Sequence, residues 1–218
     1  MASSRLPGKV LAEISGRPVI DHVLRRAARI DGVHQVVLAV PDSPGDDVLE
    51  RVGKAAGFAV FRGDATDVLN RYHDAAAGHG ADAVVRITAD CPLLDPAVSA
   101  LVVRRFAAGD VDYVSNVNPP TYPDGYDTEV FSTNALNIAW TEAIDPYERE
   151  HVTPFIRRRP DRFRLANVAD PADRSSWRLT VDTEADLAAL RSIWARMPDE
   201  QFGFADVIAL EARVSHTW

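Results

Sequence analysis

Two basic residues flank a proline–glycine pair near the start of the chain, in the stretch S-S-R-L-P-G-K at positions 3–9. Proline restricts one backbone dihedral and glycine permits an otherwise strained one, so a turn here can direct neighbouring N–H groups toward one point. Arg5 and Lys9 add two full positive charges, and such a loop suits a polyphosphate. A basic turn exposed to water is the alternative. A Walker A loop is excluded, because Val10 stands where a Mg²⁺-binding Ser or Thr is required.

An aspartate, Asp90, follows a predicted strand at Ala83–Ile87, and Pro92 then ends the strand pattern. Ligands of α/β folds bind at the carboxyl ends of strands. The Asp90 carboxylate could therefore bind Mg²⁺, the ion that accompanies a nucleoside triphosphate. An aspartate that only forms a turn is the alternative. Cys91 has no base near it in the sequence, so we expect a small buried residue there.

A second aspartate, Asp182, ends the predicted strand Trp177–Val181. The sequence V-D-T-E-A-D predicts the start of a helix, with Thr183 or Asp182 as its cap and acidic residues in its first turn. Capping alone would account for Asp182. The turn before this strand also predicts a possible hairpin with a strand at Phe163–Val168.

Three further polar side chains are candidates for binding an anion. Arg86 and Arg178 could bind a phosphate or a substrate carboxylate, because a guanidinium matches planar oxyanions; either could instead be a surface arginine. His151, beside Glu150, could bind a phosphate or substrate oxygen, or it could only cap a helix or pack at a subunit boundary. The six histidines have no zinc-site spacing, so we expect no zinc.

The elements that must position these residues alternate between strand and helix patterns. Amphipathic periodicity predicts a helix at Pro18–Ile30, and continuous apolar runs predict buried strands, as at Val36–Val40. Further helices are predicted at Val68–His79 and Pro96–Ala108. This alternation predicts an α/β fold with a doubly wound, mostly parallel sheet.

The alternation is interrupted after a short strand at Tyr113–Ser115. A loop rich in Pro, Asn and Gly at Asn116–Tyr126 precedes Asp127–Phe131, whose pattern predicts a strand that leaves the main sheet. We expect a small inserted β subregion here, covering one side of the site. Asp127 and Glu129 lie on one face of this strand, which suits recognition of a polar substrate; two exposed acids on an edge strand are the alternative.

Length and charge limit the function further. A chain of 218 residues with 46% hydrophobic residues can form one large domain, and its formal net charge of −8 argues against nucleic acid or an anionic membrane as a partner. One cysteine, no leader pattern and no long apolar run lead us to expect a cytoplasmic protein.

Five ordered blocks resemble a known family: S-S-R-L-P-G-K-V-L, R-I-T-A-D-C-P-L-L-D-P, Y-P-D-G-Y-D-T-E-V-F, E-R-E-H-V-T-P-F-I and L-T-V-D-T-E-A-D-L. They resemble the spore-coat-polysaccharide type of cytidylyltransferase, a relative of enzymes that activate acidic sugars as CMP conjugates. The resemblance implies a nucleotide-diphospho-sugar transferase-like fold, with residues 1–218 as one nucleotidyltransferase domain and a substrate or dimer subregion at about 116–170. It also implies CTP, Mg²⁺, a small acidic acceptor such as a sugar acid or sugar phosphate, and a homodimer.

The residues and the resemblance together assign roles to individual positions. The predicted residues are Arg5, Lys9, Asp90 and Asp182 in catalysis, the last two also as Mg²⁺ ligands; Ser3, Ser4, Arg5, Gly8, Lys9 and Arg86 at the nucleotide; and Asp127, Glu129, His151 and Arg178 at the acceptor. The metal role of Asp182 and the acceptor-side roles of Asp127, Glu129 and His151 are what the resemblance implies.

Family members normally begin with an apolar strand that runs into Q-A-R-M-G before the S-S-R-L-P-G-K loop, whereas this sequence starts at Met1-Ala2. We therefore expect weak or absent activity from the chain as written. One alternative is a non-catalytic nucleotide-binding partner. Another is a nucleotide-sugar glycosyltransferase, whose D-x-D metal motif Asp110-Val111-Asp112 matches formally, although it lies before a strand, at the opposite edge from the predicted site.

Overall fold

The computed structural model describes residues 6–215. Its α-helices are α1 (Val19–Ala27), α2 (Asp47–Ala55), α3 (Val68–Gly78), α4 (Pro96–Ala107), α5 (Thr133–Glu142), α6 (Pro146–His151), α7 (Pro154–Arg157), α8 (Glu184–Trp194) and α9 (Phe204–Ser215). Its strands are β1 (Glu13–Ile14), β2 (Arg17–Pro18), β3 (Val37–Pro41), β4 (Ala59–Gly63), β5 (Ala83–Arg86), β6 (Tyr113–Ser115), β7 (Glu129–Ser132) and β8 (Leu165–Asn167). None of these helices is both long and apolar enough to cross a membrane.

The strands of this part of the chain form three sheets. β1 and β2 pair in an antiparallel hairpin, β3 and β4 pair in parallel, and the largest sheet has the order β5-β7-β6-β8. In that sheet β7 is antiparallel to both neighbours and β8 is parallel to β6, so β5, β6 and β8 run in one direction. The predicted α/β fold with parallel strands and helices is confirmed, and β7 is the strand that runs in the opposite direction.

Two predictions about strand pairing are wrong. β7 does not leave the main sheet, because it lies between β5 and β6. Residues 163–168 and 177–181 do not form a hairpin: β8 pairs with β6, and the second segment makes only an isolated parallel bridge between Asp124 and Arg178.

Local sequence accounts well for the helices. In α1, Ile20, Val23 and Leu24 are buried, as the amphipathic pattern predicts. α4 begins with Pro96 in its first turn, and the Asp95 carboxylate caps it by accepting N–H bonds from Ala97 at 2.6 Å and Val98 at 3.2 Å.

Candidate active site

The proline–glycine turn has the geometry that its sequence predicts. The Lys9 N–H donates to the Leu6 carbonyl at 3.1 Å, with Pro7 and Gly8 at the two central positions. Gly8 has φ 73° and ψ 15°, the left-handed conformation required at the third position of a type II turn. A short 3₁₀ turn, Lys9–Leu11, follows. Of the predicted loop residues, Ser3, Ser4 and Arg5 lie outside the described residues.

Lys9 joins the two predicted aspartates. Its Nζ donates to Asp90 Oδ2 at 2.6 Å and to Asp182 Oδ1 at 2.8 Å. The three side chains are 16%, 25% and 19% exposed, respectively, so the ion pairs are partly shielded from water. Burial by itself disfavours the ammonium, but the hydrogen bonds and charges of the two aspartates outweigh it and raise the pKa of Lys9. Two carboxylates distant in sequence therefore converge on one cation.

Backbone pairing places Asp182 beside Asp90. The Val181 N–H donates to the Asp90 carbonyl at 2.9 Å, which joins the segment before α8 to the loop after β5. Thr183, and not Asp182, is the N-cap of α8: its hydroxyl accepts the Asp186 N–H, and the Asp186 carboxylate accepts the Thr183 N–H. Because Thr183 caps the helix, the Asp182 side chain can serve the site.

Arg178 binds the carboxylate oxygen of Asp182 that Lys9 does not contact. Its Nη2 donates to Asp182 Oδ2 at 2.6 Å and to Asp186 Oδ2 at 3.3 Å. The Arg178 side chain is 45% exposed. It is therefore available at the rim of the site, where it also pairs with Asp182.

The carboxylates of Asp90 and Asp182 have the donor chemistry that Mg²⁺ prefers. Magnesium is usually held by one or two carboxylates together with substrate phosphates and water. Here two aspartate oxygens already approach a single positive atom, Lys9 Nζ, at 2.6 and 2.8 Å. Within residues 6–215, no group of three or more His, Cys, Asp or Glu side chains is arranged as a metal site.

Two more aspartates face this cluster from the segment before β7. The Asp124 backbone is joined to the strand-like segment before α8, because its N–H donates to the Trp177 carbonyl at 3.0 Å and its carbonyl accepts the Leu179 N–H at 2.8 Å. A glycine is needed beside it: Gly125 has φ 111°, and a Cβ there would lie 2.7 Å from the Leu179 carbonyl oxygen. This close approach brings Asp124 and Asp127 toward Asp90.

Asp127 is half-buried, and no hydrogen bond or ion pair from another described residue reaches its carboxylate. Burial raises the pKa of Asp127 to about 7, and the charges of Asp124, Glu129 and Asp90 add to the effect while Arg86 opposes it. Such a group can accept a proton near neutral pH.

Arg86 and Glu129 pair with each other. Arg86 Nη1 donates to Glu129 Oε2 at 2.5 Å, and Glu129 is only 4% exposed. Glu129 Oε1 also accepts bonds from the Tyr113 and Thr153 hydroxyls, each at 2.6 Å. The predicted acceptor-binding role of Glu129 stays a prediction, but its oxygens lie in the interior.

His151 lies apart from these residues. It is exposed in α6, and its ring contacts Tyr147 at a centroid distance of 4.3 Å. The described contacts of His151 include none with Lys9, Asp90 or Asp182. Sequence reasoning missed Asp124, Tyr113 and Thr153. The Pro-Asp-Gly turn around Asp124 was the only local signal for any of them.

Each of the two aspartates of the D-x-D tripeptide forms an ion pair with an arginine. Asp110 pairs with Arg105 at 2.5 Å, and Asp112 pairs with Arg164 at 2.8 Å. Both precede β6, whereas Asp90 follows β5, which runs in the same direction. The tripeptide therefore lies at the opposite edge of the sheet from Lys9.

Comparison with solved structures defines the class of protein. The chain superimposes on CMP:2-keto-3-deoxy-manno-octonic acid synthetase complexed with CTP with a TM-score of 0.66, at 20% identity over 89% of this chain and 95% of the other. The fold is that of the nucleotidyltransferases.

Sequence comparison then defines the family: residues 1–201 match the Cytidylyltransferase family, and the chain belongs to it. A solved cytidylyltransferase from Leptospira borgpetersenii superimposes with a TM-score of 0.94, at 31% identity over 99% of this chain and 92% of that one. The spore coat polysaccharide biosynthesis protein SpsF of Bacillus subtilis is 30% identical over 204 residues, 90% of this chain and 83% of its own length. The resemblance noted from the sequence is confirmed.

Proposed function

We propose that this protein transfers CMP from CTP to a small acidic acceptor, such as a sugar acid or sugar phosphate, and releases pyrophosphate. The observation that carries the proposal is the position of Lys9 Nζ between Asp90 and Asp182 beside the carboxyl end of β5. The family supports cytidylyl transfer, and the names of relatives support an acidic sugar and polysaccharide biosynthesis.

The reaction is a displacement at phosphorus. An acceptor oxygen forms a bond to the α-phosphorus of CTP, the bond from that phosphorus to the bridging oxygen of the β-phosphate breaks, and pyrophosphate leaves. Lys9 and the Gly8 backbone bind the triphosphate, and the sequence adds Ser3, Ser4 and Arg5 as further nucleotide-binding residues. The protein contributes mainly positioning and charge stabilisation.

Asp90 and Asp182 would hold Mg²⁺, which supplies charge neutralisation to the triphosphate when it is bound. Arg178 Nη2 donates to Asp182 Oδ2 at 2.6 Å, and this hydrogen bond keeps the Asp182 carboxylate oriented. Asp127 accepts the proton that the acceptor hydroxyl loses, since its pKa of about 7 suits a base at neutral pH. Arg86 binds an oxyanion of a substrate.

The deciding experiment measures pyrophosphate release with Mg²⁺, each of the four nucleoside triphosphates and a panel of small acids that includes 3-deoxy-manno-octulosonate. We expect release only with CTP, and a loss of about 100-fold or more in Asp90→Asn and Asp182→Asn. Asp110→Asn is the matched control and should retain full activity, because Asp110 pairs with Arg105 at the opposite edge. Release that prefers another nucleotide, or that persists in both site variants, would contradict the proposal.

Calorimetry with CTP separates the remaining alternatives. Binding of CTP without pyrophosphate release across the whole panel would favour a non-catalytic nucleotide-binding partner. Consumption of a nucleotide sugar that Asp110→Asn abolishes would favour the glycosyltransferase.

A further inference from the structure

Glu129 is held in one orientation by residues from three other elements. Arg86, the last residue of β5, lies opposite Glu129, the first residue of β7, in the strand register. One Glu129 oxygen accepts from Arg86 at 2.5 Å, and the other accepts from Tyr113 of β6 and from Thr153, which precedes α7, each at 2.6 Å. Both carboxylate oxygens are therefore bound within the protein.

The protonation states of Tyr113 and Arg86 agree with the hydrogen bonds that they donate to Glu129. A buried carboxylate is stable only when donors surround it. Burial, with the Glu129 charge adding to it, raises the pKa of Tyr113, so the phenol stays protonated and donates. Burial alone would lower the pKa of Arg86, but the neighbouring Tyr72 and Glu129 raise it. Arg86 thus stays charged beside Glu129.

Arg86 still has donors to offer. Only its Nη1 is paired, its Nε is buried without a partner, and no acceptor among residues 6–215 reaches Nη2. The Arg86 side chain is 19% exposed. It belongs to the end of β5 that leads directly to Asp90. Nη2, which is unpaired within residues 6–215 and is not among the buried atoms, is consequently the donor available to an oxyanion.

A strained backbone turn at Val152 supports the same arrangement. Val152, fully buried between α6 and α7, has φ 71° and ψ −59°, and the Thr153 N–H donates to the His151 carbonyl at 2.9 Å. A γ-turn with positive φ is unfavourable for a β-branched residue, and such strain persists only where the surrounding structure imposes it. The turn directs the Thr153 hydroxyl at Glu129.

We propose that Glu129, together with Tyr113 and Thr153, is a positioning residue that aims the Arg86 guanidinium at an oxyanion of a bound substrate, and that Glu129 does not itself contact the substrate. This inference rests on the proposed function. The oxyanion belongs either to a phosphate of CTP or to the acidic group of the acceptor, which are alike in the chemistry that Arg86 recognises.

Steady-state kinetics distinguishes the two sources. Glu129→Gln and Arg86→Met should each raise KM about tenfold or more for the substrate that Arg86 binds, with kcat changed far less. The double variant should be no worse than Arg86→Met alone, because both changes remove one interaction. A rise in KM for CTP assigns the oxyanion to the nucleotide, and a rise in KM for 3-deoxy-manno-octulosonate assigns it to the acceptor.

Glu142→Gln is the matched control, since Glu142 is exposed and pairs with Arg162 on the surface. It should leave both KM values unchanged. Circular dichroism and the unfolding midpoint establish that each variant is folded. A folded Glu129→Gln protein with both KM values of the wild type, or additive effects in the double variant, would overturn the inference.

A second measurement does not depend on turnover. In the ¹⁵N-labelled full chain without substrate, the Arg86 guanidinium signals, assigned by their loss in Arg86→Met, should show slow rotation and hydrogen exchange. They should become fast in Glu129→Gln and intermediate in Thr153→Val. Unchanged Arg86 signals in Glu129→Gln would overturn the positioning role even in an active enzyme, whereas slow signals in a chain that neither binds CTP nor releases pyrophosphate would place the failure in the proposed function.

Discussion

At the scale of single residues, the part of the site within residues 6–215 has more acidic than basic side chains. Lys9 and Arg178 pair with Asp90 and Asp182, but Asp127 has no such partner among the described residues. Burial raises the pKa of Asp127, the charges of Asp124, Glu129 and Asp90 raise it further, and Arg86 lowers it. Asp127 should therefore dominate the pH dependence of the free protein near neutrality.

Replacing Asp127 should stabilise the protein at high pH. The pKa of Asp127 is about 7 in the folded chain, against 3.8 for an ordinary Asp. Between these values the unfolded chain has released the proton and the folded chain retains it, so stability falls as pH rises from 4 to 7. Asp127→Asn should thus match the wild type near pH 4 and exceed it at pH 8 by roughly 1–3 kcal/mol. Urea unfolding at both pH values measures the difference.

Asp110→Asn provides the comparison, because Arg105 lowers the pKa of Asp110 and its variant should show no gain at pH 8. In the activity assay, the rate of pyrophosphate release by the wild type should rise with pH through pH 7. The rate of the Asp127→Asn variant should not show this rise. A stability difference that is constant from pH 4 to pH 8 would show that Asp127 titrates normally.

At the scale of elements, the start of α8 combines a structural and a chemical task. The Asp186 carboxylate accepts the N–H groups of Asp182 at 3.1 Å and Thr183 at 2.8 Å, and Thr183 caps the helix in return. The capping box thereby orients the backbone of Asp182 at the position where its side chain meets Lys9.

Thr183→Ala should lower the free energy of unfolding by about 1 kcal/mol, because the Asp186 N–H loses its acceptor. Thr183→Ser keeps a hydroxyl and should preserve most of that stability. Denaturant unfolding of the two variants is the measurement. Equal losses in Thr183→Ser and Thr183→Ala would show that the methyl group, and not the cap, is responsible.

At the scale of the whole molecule, Cys91 can report on opening of the fold beside the site. It is the only cysteine, it is 1% exposed, and it directly follows Asp90. Burial, together with the Asp90 charge, raises the pKa of its thiol well above the ordinary value. Reaction with a thiol reagent therefore requires the protein to open.

In native buffer, a disulfide reagent should label Cys91 at a rate set by opening, and the rate should rise with urea. Mg²⁺ with CTP should lower the labelling rate of Cys91 below that of the free protein, because a ligand that binds only the folded state opposes opening. The reference is Ser176→Cys in a Cys91→Ala chain, which places a thiol at an exposed position. Labelling of Cys91 as fast as this reference, without urea, would contradict its burial.

The sequence by itself determined the local features of this protein. Apolar periodicity located α1, α3 and α4, Pro7 and Gly8 formed the predicted turn, and Thr183 began a helix. These features depend on dihedral preferences and on hydrogen bonds between neighbours in the chain, so a short stretch contains the information that specifies them. The two site aspartates were likewise found as residues that follow predicted strands.

The tertiary structure alone decided which residues meet. Strand order places β7 between β5 and β6, and this buries Glu129 against Arg86 and Tyr113, where alternation alone allowed an exposed substrate-binding face. The same packing holds Val152 at a φ that its own side chain disfavours. Such contacts join residues far apart in the chain, so their energies belong to the assembled sheet and no local pattern records them.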